Sequence, residues 1–138
     1  MKTAIASLLL PMILGLSAPA LADGSASLTG TNWQLSSLGS TVAAEGVKTT
    51  MQVAADGTVS GNGGCNGYGG SVKVTGNQFA FSQMRSTMMA CEEKAMQQEH
   101  GLHQALEATK SFEIQGQTLT LLDGSGAPTA TFEAGAPA

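Results

Sequence analysis

From Leu28 onward, apolar and polar positions alternate in short runs broken by glycine. Val72 and Val74 face one way while Ser71, Lys73 and Thr75 face the other, and Phe79 and Phe81 follow the same two-residue period. This pattern predicts strands over 32–38, 47–54, 58–62, 71–75 and 78–84, then over 111–115, 118–123 and 129–133. Asp56-Gly57 and Gly76-Asn77 carry the residues that tight hairpin turns require, and Gly116-Gln117 and Gly124–Gly126 mark two later turns. One segment breaks the alternation. CEEKAMQQEHGLHQALEATK, from Cys91 to Lys110, places Ala95, Leu102, Leu106 and Thr109 near helical spacing, with Glu92 and Glu93 at the end where the helix dipole favours acid. Many strands and one helix predict a single small α+β domain, its antiparallel sheet curling around or packing on the helix.

The chain opens differently. MKTAIASLLLPMILGLSAPALA has one cation at Lys2, an apolar run to about Leu16, and small residues ending in Ala20-Leu21-Ala22. Residues 1–22 therefore read as a signal peptide cut before Asp23, too short in its apolar run for a membrane span. The first cysteine is Cys65, so no lipid anchor is expected at the new N-terminus. Residues 23–27 form a polar leader, and 135–138 are expected to fray. The expected location is periplasmic or secreted. In such a compartment the two cysteines, Cys65 and Cys91, are expected to form one disulfide.

The full chain carries a net charge of −4, and loss of Lys2 makes it more acidic still. Nucleic acid is thus a poor partner, as are anionic lipid headgroups. GNGGCNGYGG at 61–70 raises three possibilities: a phosphate loop, a reactive cysteine, or a turn pinned by a disulfide. Gly69-Gly70 is followed by Ser71-Val72, so the lysine of a nucleotide loop is missing, and Asn66 stands where the dinucleotide pattern needs glycine. A catalytic cysteine would need a base beside it, and Cys91 offers Cys65 a bond that removes the nucleophile. His100-Gly-Leu-His103 lacks the spacing and the glutamate of a zinc-protease helix, and no set of four ligands is visible even with Glu99 and Glu107 nearby. No catalytic residue, metal site or cofactor is expected. The glycines then read as freedom for a sharp turn that delivers Cys65 to Cys91, with Asn66 satisfying backbone groups and Tyr68 packing. Trp33, Met84 and Met89 are expected in the core, with Met88 left open.

Gly64-Cys65-Asn66-x-Tyr68-x-Gly70 followed by Ser86-Thr87-x-Met89-Ala90-Cys91 resembles the paired motif of the META domain, the HslJ-like heat-shock protein family. Leu28-x-Gly30-Thr31-x-Trp33-x-Leu35 is similar to that family's opening strand, and Ala105-Leu106 with 111–121 to its closing helix and hairpin. The resemblance spans 28–134. Val72 and Met88 depart from it, standing where the family usually has an aromatic and a basic residue. It implies a compact, antiparallel, barrel-like β domain with one helix, exported to the envelope, tied to heat or antibiotic stress, and without catalytic residues. The expected function is non-enzymatic: support of envelope stress tolerance through binding an envelope protein partner. The alternatives are a carrier of an apolar ligand, as in the similar lipid-binding secretin pilot proteins, and a protease-inhibitor-like module presenting the segment 36–46 as a loop.

Overall fold

A computed structural model of the chain describes residues 25–135. The expected signal peptide, the first two residues of the leader and the last three of the tail lie outside them. The elements run β1 (Trp33–Leu38), β2 (Thr41–Val42), β3 (Thr50–Val53), β4 (Thr58–Asn62), β5 (Gly67–Thr75), β6 (Gln78–Ser86), α1 (Glu93–Ala108), β7 (Ser111–Gln115), β8 (Thr118–Leu122) and β9 (Pro128–Ala134). All pairs between these strands are antiparallel, the strands from β3 to β9 lie side by side in chain order, and β1 pairs with β2, β3 and β9. The sheet thereby closes into a ring, which leaves few exposed edges.

The ring is uneven. β1 and β9 share a long ladder from Trp33↔Ala134 to Leu38↔Ala130, whereas β6 and β7 meet at the single pair Gln78↔Ser111. The chain between those last two strands is α1, which packs against β1, β6 and β9. Leu102 and Leu106, fully buried, drive that packing from one side of the helix. They meet the inward positions of the strands: Trp33, Met51, Val59, Leu119, Leu121 and Phe132, all at 0 % exposure. Each such buried side chain contributes about 1.5–3 kcal/mol. The indole of Trp33 satisfies its own polar atom by donating to the Leu28 carbonyl at 3.0 Å.

Several boundaries differ from those the pattern predicts. The third strand is only Thr50–Val53, because 47–49 are drawn off to the helix, and the segment 36–46 is no free loop. It folds back as β2, its Ala44 amide donates to Gln98 Oε1 at 2.6 Å, and the Lys94 ammonium caps the Glu45 carbonyl at 3.1 Å. The leader is tied as well: Ala26 packs on the core and its amide donates to the Gly116 carbonyl. Gly135, expected to fray, donates to the Asn32 carbonyl at 2.7 Å.

Candidate functional site

The glycine-rich stretch is mostly strand. β5 begins at Gly67, and Gly67 to Gly70 pair with β4, so the turn reading applies only to Gly63–Asn66. Gly64 alone in 61–70 has a left-handed backbone, φ +136°, and a side chain there would meet the Ala95 carbonyl at 2.9 Å. Gly70 answers a different need. A Cβ at that position would strike the Phe81 ring. The glycines therefore admit the helix and a neighbouring ring more than they bend the chain.

What the turn delivers is a corner between 63–67, the segment 86–91 and α1. Cys65 and Cys91 are joined there in the expected disulfide, with Cα atoms 5.9 Å apart. Beside the bridge lies a buried carboxylate. Glu99, 5 % exposed, accepts the Cys65 amide at 3.0 Å and the Asn66 amide at 2.6 Å on Oε1, and the Asn66 side-chain amide at 2.7 Å on Oε2. Burial pushes the Glu99 carboxyl up, but the Asn66 and Cys65 donors, with the field of His103, outweigh it and leave it below its ordinary value. It stays ionised, which suits three donors and no acceptor.

Asn66 passes the arrangement on. Its Nδ2 also donates to the Met89 carbonyl at 3.2 Å, while Oδ1 accepts the Thr87 hydroxyl at 2.8 Å and the Met89 amide at 2.6 Å. Every hydrogen-bonding capacity of that side chain is used, at 2 % exposure. Ser86 pairs with Tyr68 across β5 and β6, and the Thr87 amide donates to the Gly67 carbonyl. Tyr68, 5 % exposed, donates its hydroxyl to the Thr50 carbonyl at 2.8 Å, and burial holds its phenol far above the usual range. Gly64, Asn66, Tyr68, Ser86, Thr87 and Met89 thus converge on one corner. Gly70 lies further along the β5–β6 ladder, and Ala90 is exposed on the way to the bridge.

One expectation fails here. Met89 is 57 % exposed rather than core, and Met88 is 91 % exposed. The cause is local: 87–92 is not a strand, so no alternation turns these side chains inward, and Asn66 holds the Met89 backbone instead. Met84 does pack against the core. Sequence reasoning also missed the structural parts of Gln98 and Glu99. Both lie in the buried stripe of α1 with Ala95, Leu102 and Leu106. Glu99 is four residues after Ala95 and three before Leu102, and that placement of an acid on an apolar stripe is the signal that could have found it.

Two open grooves flank the corner. One, about 480 Å³, runs over 58–61, 67–69 and Arg85–Thr87. The other, about 390 Å³, lies between Met88-Met89-Ala90 and the face of α1 bearing Met96, Glu99, His100 and His103. His103 stacks at a tilt on Tyr68, ring centres 5.8 Å apart, and its buried Nε2 has no hydrogen-bond partner. Among the described residues no group of three or more His, Cys, Asp or Glu is placed to hold a metal ion.

The family model described as the META domain matches residues 26–136. The chain belongs to the META-domain family. A search of curated proteins gives no match. Two NMR structures resemble this META domain in fold. One, from Burkholderia xenovorans, is 24 % identical with a TM-score of 0.64, covering 91 % of this chain and 99 % of that one. The other is 15 % identical with a TM-score of 0.60, covering 75 % and 88 %. Most of the paired motif on which the resemblance rests, Gly70 and Ala90 apart, builds the Asn66 corner in this META domain.

Proposed function

We propose that this META domain is an exported, non-enzymatic protein that supports the cell envelope by binding, and that its binding face is the Met88-Met89 corner. The observation that carries the reading is a pair of exposed methionines on a segment whose backbone is fixed by Asn66, Glu99 and the disulfide. Large apolar side chains on a surface cost solubility, and a fixed backbone beneath them lowers the entropy lost on binding. Thioether side chains also adapt to varied partners. The inward positions of the ring are taken up by Trp33, Phe79, Leu119 and Phe132, which favours the surface over the interior as the place of binding. No described helix is long and apolar enough to cross a membrane.

The test places a photo-crosslinking amino acid at position 88 and, in a separate protein, at position 74, whose Val74 is 41 % exposed on β5. Irradiation in the native envelope is expected to give a discrete adduct from position 88 and none from 74. Equal labelling from both positions, or turnover of a peptide, ester or glycan substrate lost on His103→Ala, would overturn the proposal. A lipid co-purifying without detergent would move the function to the apolar-ligand carrier.

A further inference from the structure

Five residues that carry soft donors line the second groove: Met88, Met89 and Met96 with thioethers, and His100 and His103 with imidazoles. Met96, His100 and His103 are spaced by four and three residues on α1, so they share a face. The two remaining methionines come from the segment that Asn66 fixes opposite that face. We propose that this corner is a binding site for a soft monovalent d10 cation, copper(I), for which silver(I) is the probe. The proposal deepens the reading of the same corner as a binding face and rests on it.

Three observations point the same way. His103 lines the groove, and its buried Nε2 lacks a partner, a cost of about 1–3 kcal/mol for an ordinary buried polar atom; a turn of the neutral ring toward the groove would let a bound cation supply one. Met88 and Met89 are exposed at 91 % and 57 %, where leucine-like burial cannot explain the residue type. Both cysteines are held in the bridge, so the soft ligands on offer are thioethers. The argument against zinc at His100 and His103 becomes an argument for selectivity: the groove lining offers zinc(II) two imidazoles and no thiolate, and the oxygens of its one carboxylate, Glu99, are already engaged by Asn66 and Cys65. Thioether and imidazole together select copper(I), which accepts low coordination numbers. The flexible methionine side chains can close on the ion while their backbone stays fixed.

The test is a titration of the disulfide-intact protein with silver(I) in chloride-free buffer, followed by calorimetry and by NMR of the methionine methyl and histidine ring signals. One silver ion per chain is expected, with the largest shifts at Met88, Met89, Met96 and His103, and zinc(II) binding at least 100-fold more weakly. Met→Leu changes keep volume, so M88L/M89L/M96L is expected to lower silver affinity at least tenfold with the unfolding midpoint nearly unmoved. H103Q is expected to lower it at least tenfold as well. Absence of stoichiometric binding, retention of full affinity in the triple variant, or shifts centred on Met51 and Met84 would overturn the site. If silver does not bind while the crosslinker at position 88 still gives its discrete adduct, the metal proposal falls and the binding face stands.

Discussion

The wall of the ring and its corner are held by different physics. In the wall, Leu119, Leu121, Ala130 and Phe132 project inward from β8 and β9 at 0 % exposure, and the ladders between those strands run nearly unbroken. Stability there is spread over many similar contacts. At the corner, one carboxylate, one carboxamide and one disulfide tie the turn at 63–66, the segment 87–91 and α1 together. Its polar part adds little net stability over an apolar equivalent, yet removing Glu99 or Asn66 leaves buried groups unpaired, while the disulfide acts by restricting the unfolded chain. The wall makes the domain stable, and the corner makes one surface of it definite.

That contrast can be broken at several strengths. Phe132→Ala in the wall is expected to cost about 3–5 kcal/mol by chemical denaturation, while leaving the Met88-Met89 surface unchanged in NMR shifts. Removing the bridge with C65S/C91S comes next, at about 3–4 kcal/mol for a loop of this length in the chain-entropy model. Glu99→Gln is smaller, about 2–3 kcal/mol, because Oε1 can still accept the two backbone amides while the new amide opposes the Asn66 amide donor-to-donor. A fall in stability of a few tenths only for Glu99→Gln would show that the carboxylate is not what organises the corner.

Acid should act on the corner by two routes with the same sign. Glu99 has a folded pKa below its ordinary 4.5, so its contribution is complete above 4.5 and is lost as pH falls through the folded value. His103 is held below 6.5 by burial, against the pull of Glu99, with His100 lowering it further and Glu107 raising it. Above 6.5 it is neutral folded or unfolded; below 6.5 the unfolded chain takes up the proton first, and stability falls until the folded pKa is passed. Unfolding midpoints measured from pH 8 to 4 are expected to decline in two phases, and H103Q to flatten the upper one.

The ring was legible in the sequence because its strands alternate. Leu119-x-Leu121 and Phe79 show their buried faces directly, and Asp56-Gly57 and Gly76-Asn77 mark their turns, with φ +92° at Gly57 and +61° at Gly76. β5 began earlier than predicted because Gly67, Gly69 and Gly70 have no side chains to alternate. Part of the corner was legible too: the cysteine pair and the motif residues Asn66 and Thr87 do meet. Glu99 was hidden because its partners lie 33 and 34 residues away, and a glutamate on a helix reads as solvent-facing until those donors are known. Met89 misled for the converse reason, since an apolar side chain reads as core until a polar anchor is found holding its backbone at the surface.

The most direct test of the corner is the hydrogen exchange rate of the Met89 amide, which donates to Asn66 Oδ1 at 2.6 Å outside any strand or helix. It is expected to be protected in the native protein. In Glu99→Gln its exchange should rise at least tenfold more than that of the Leu119 and Phe132 amides in the wall. A Met89 amide that exchanges freely in the native protein, or that accelerates only in step with the wall, would contradict the account.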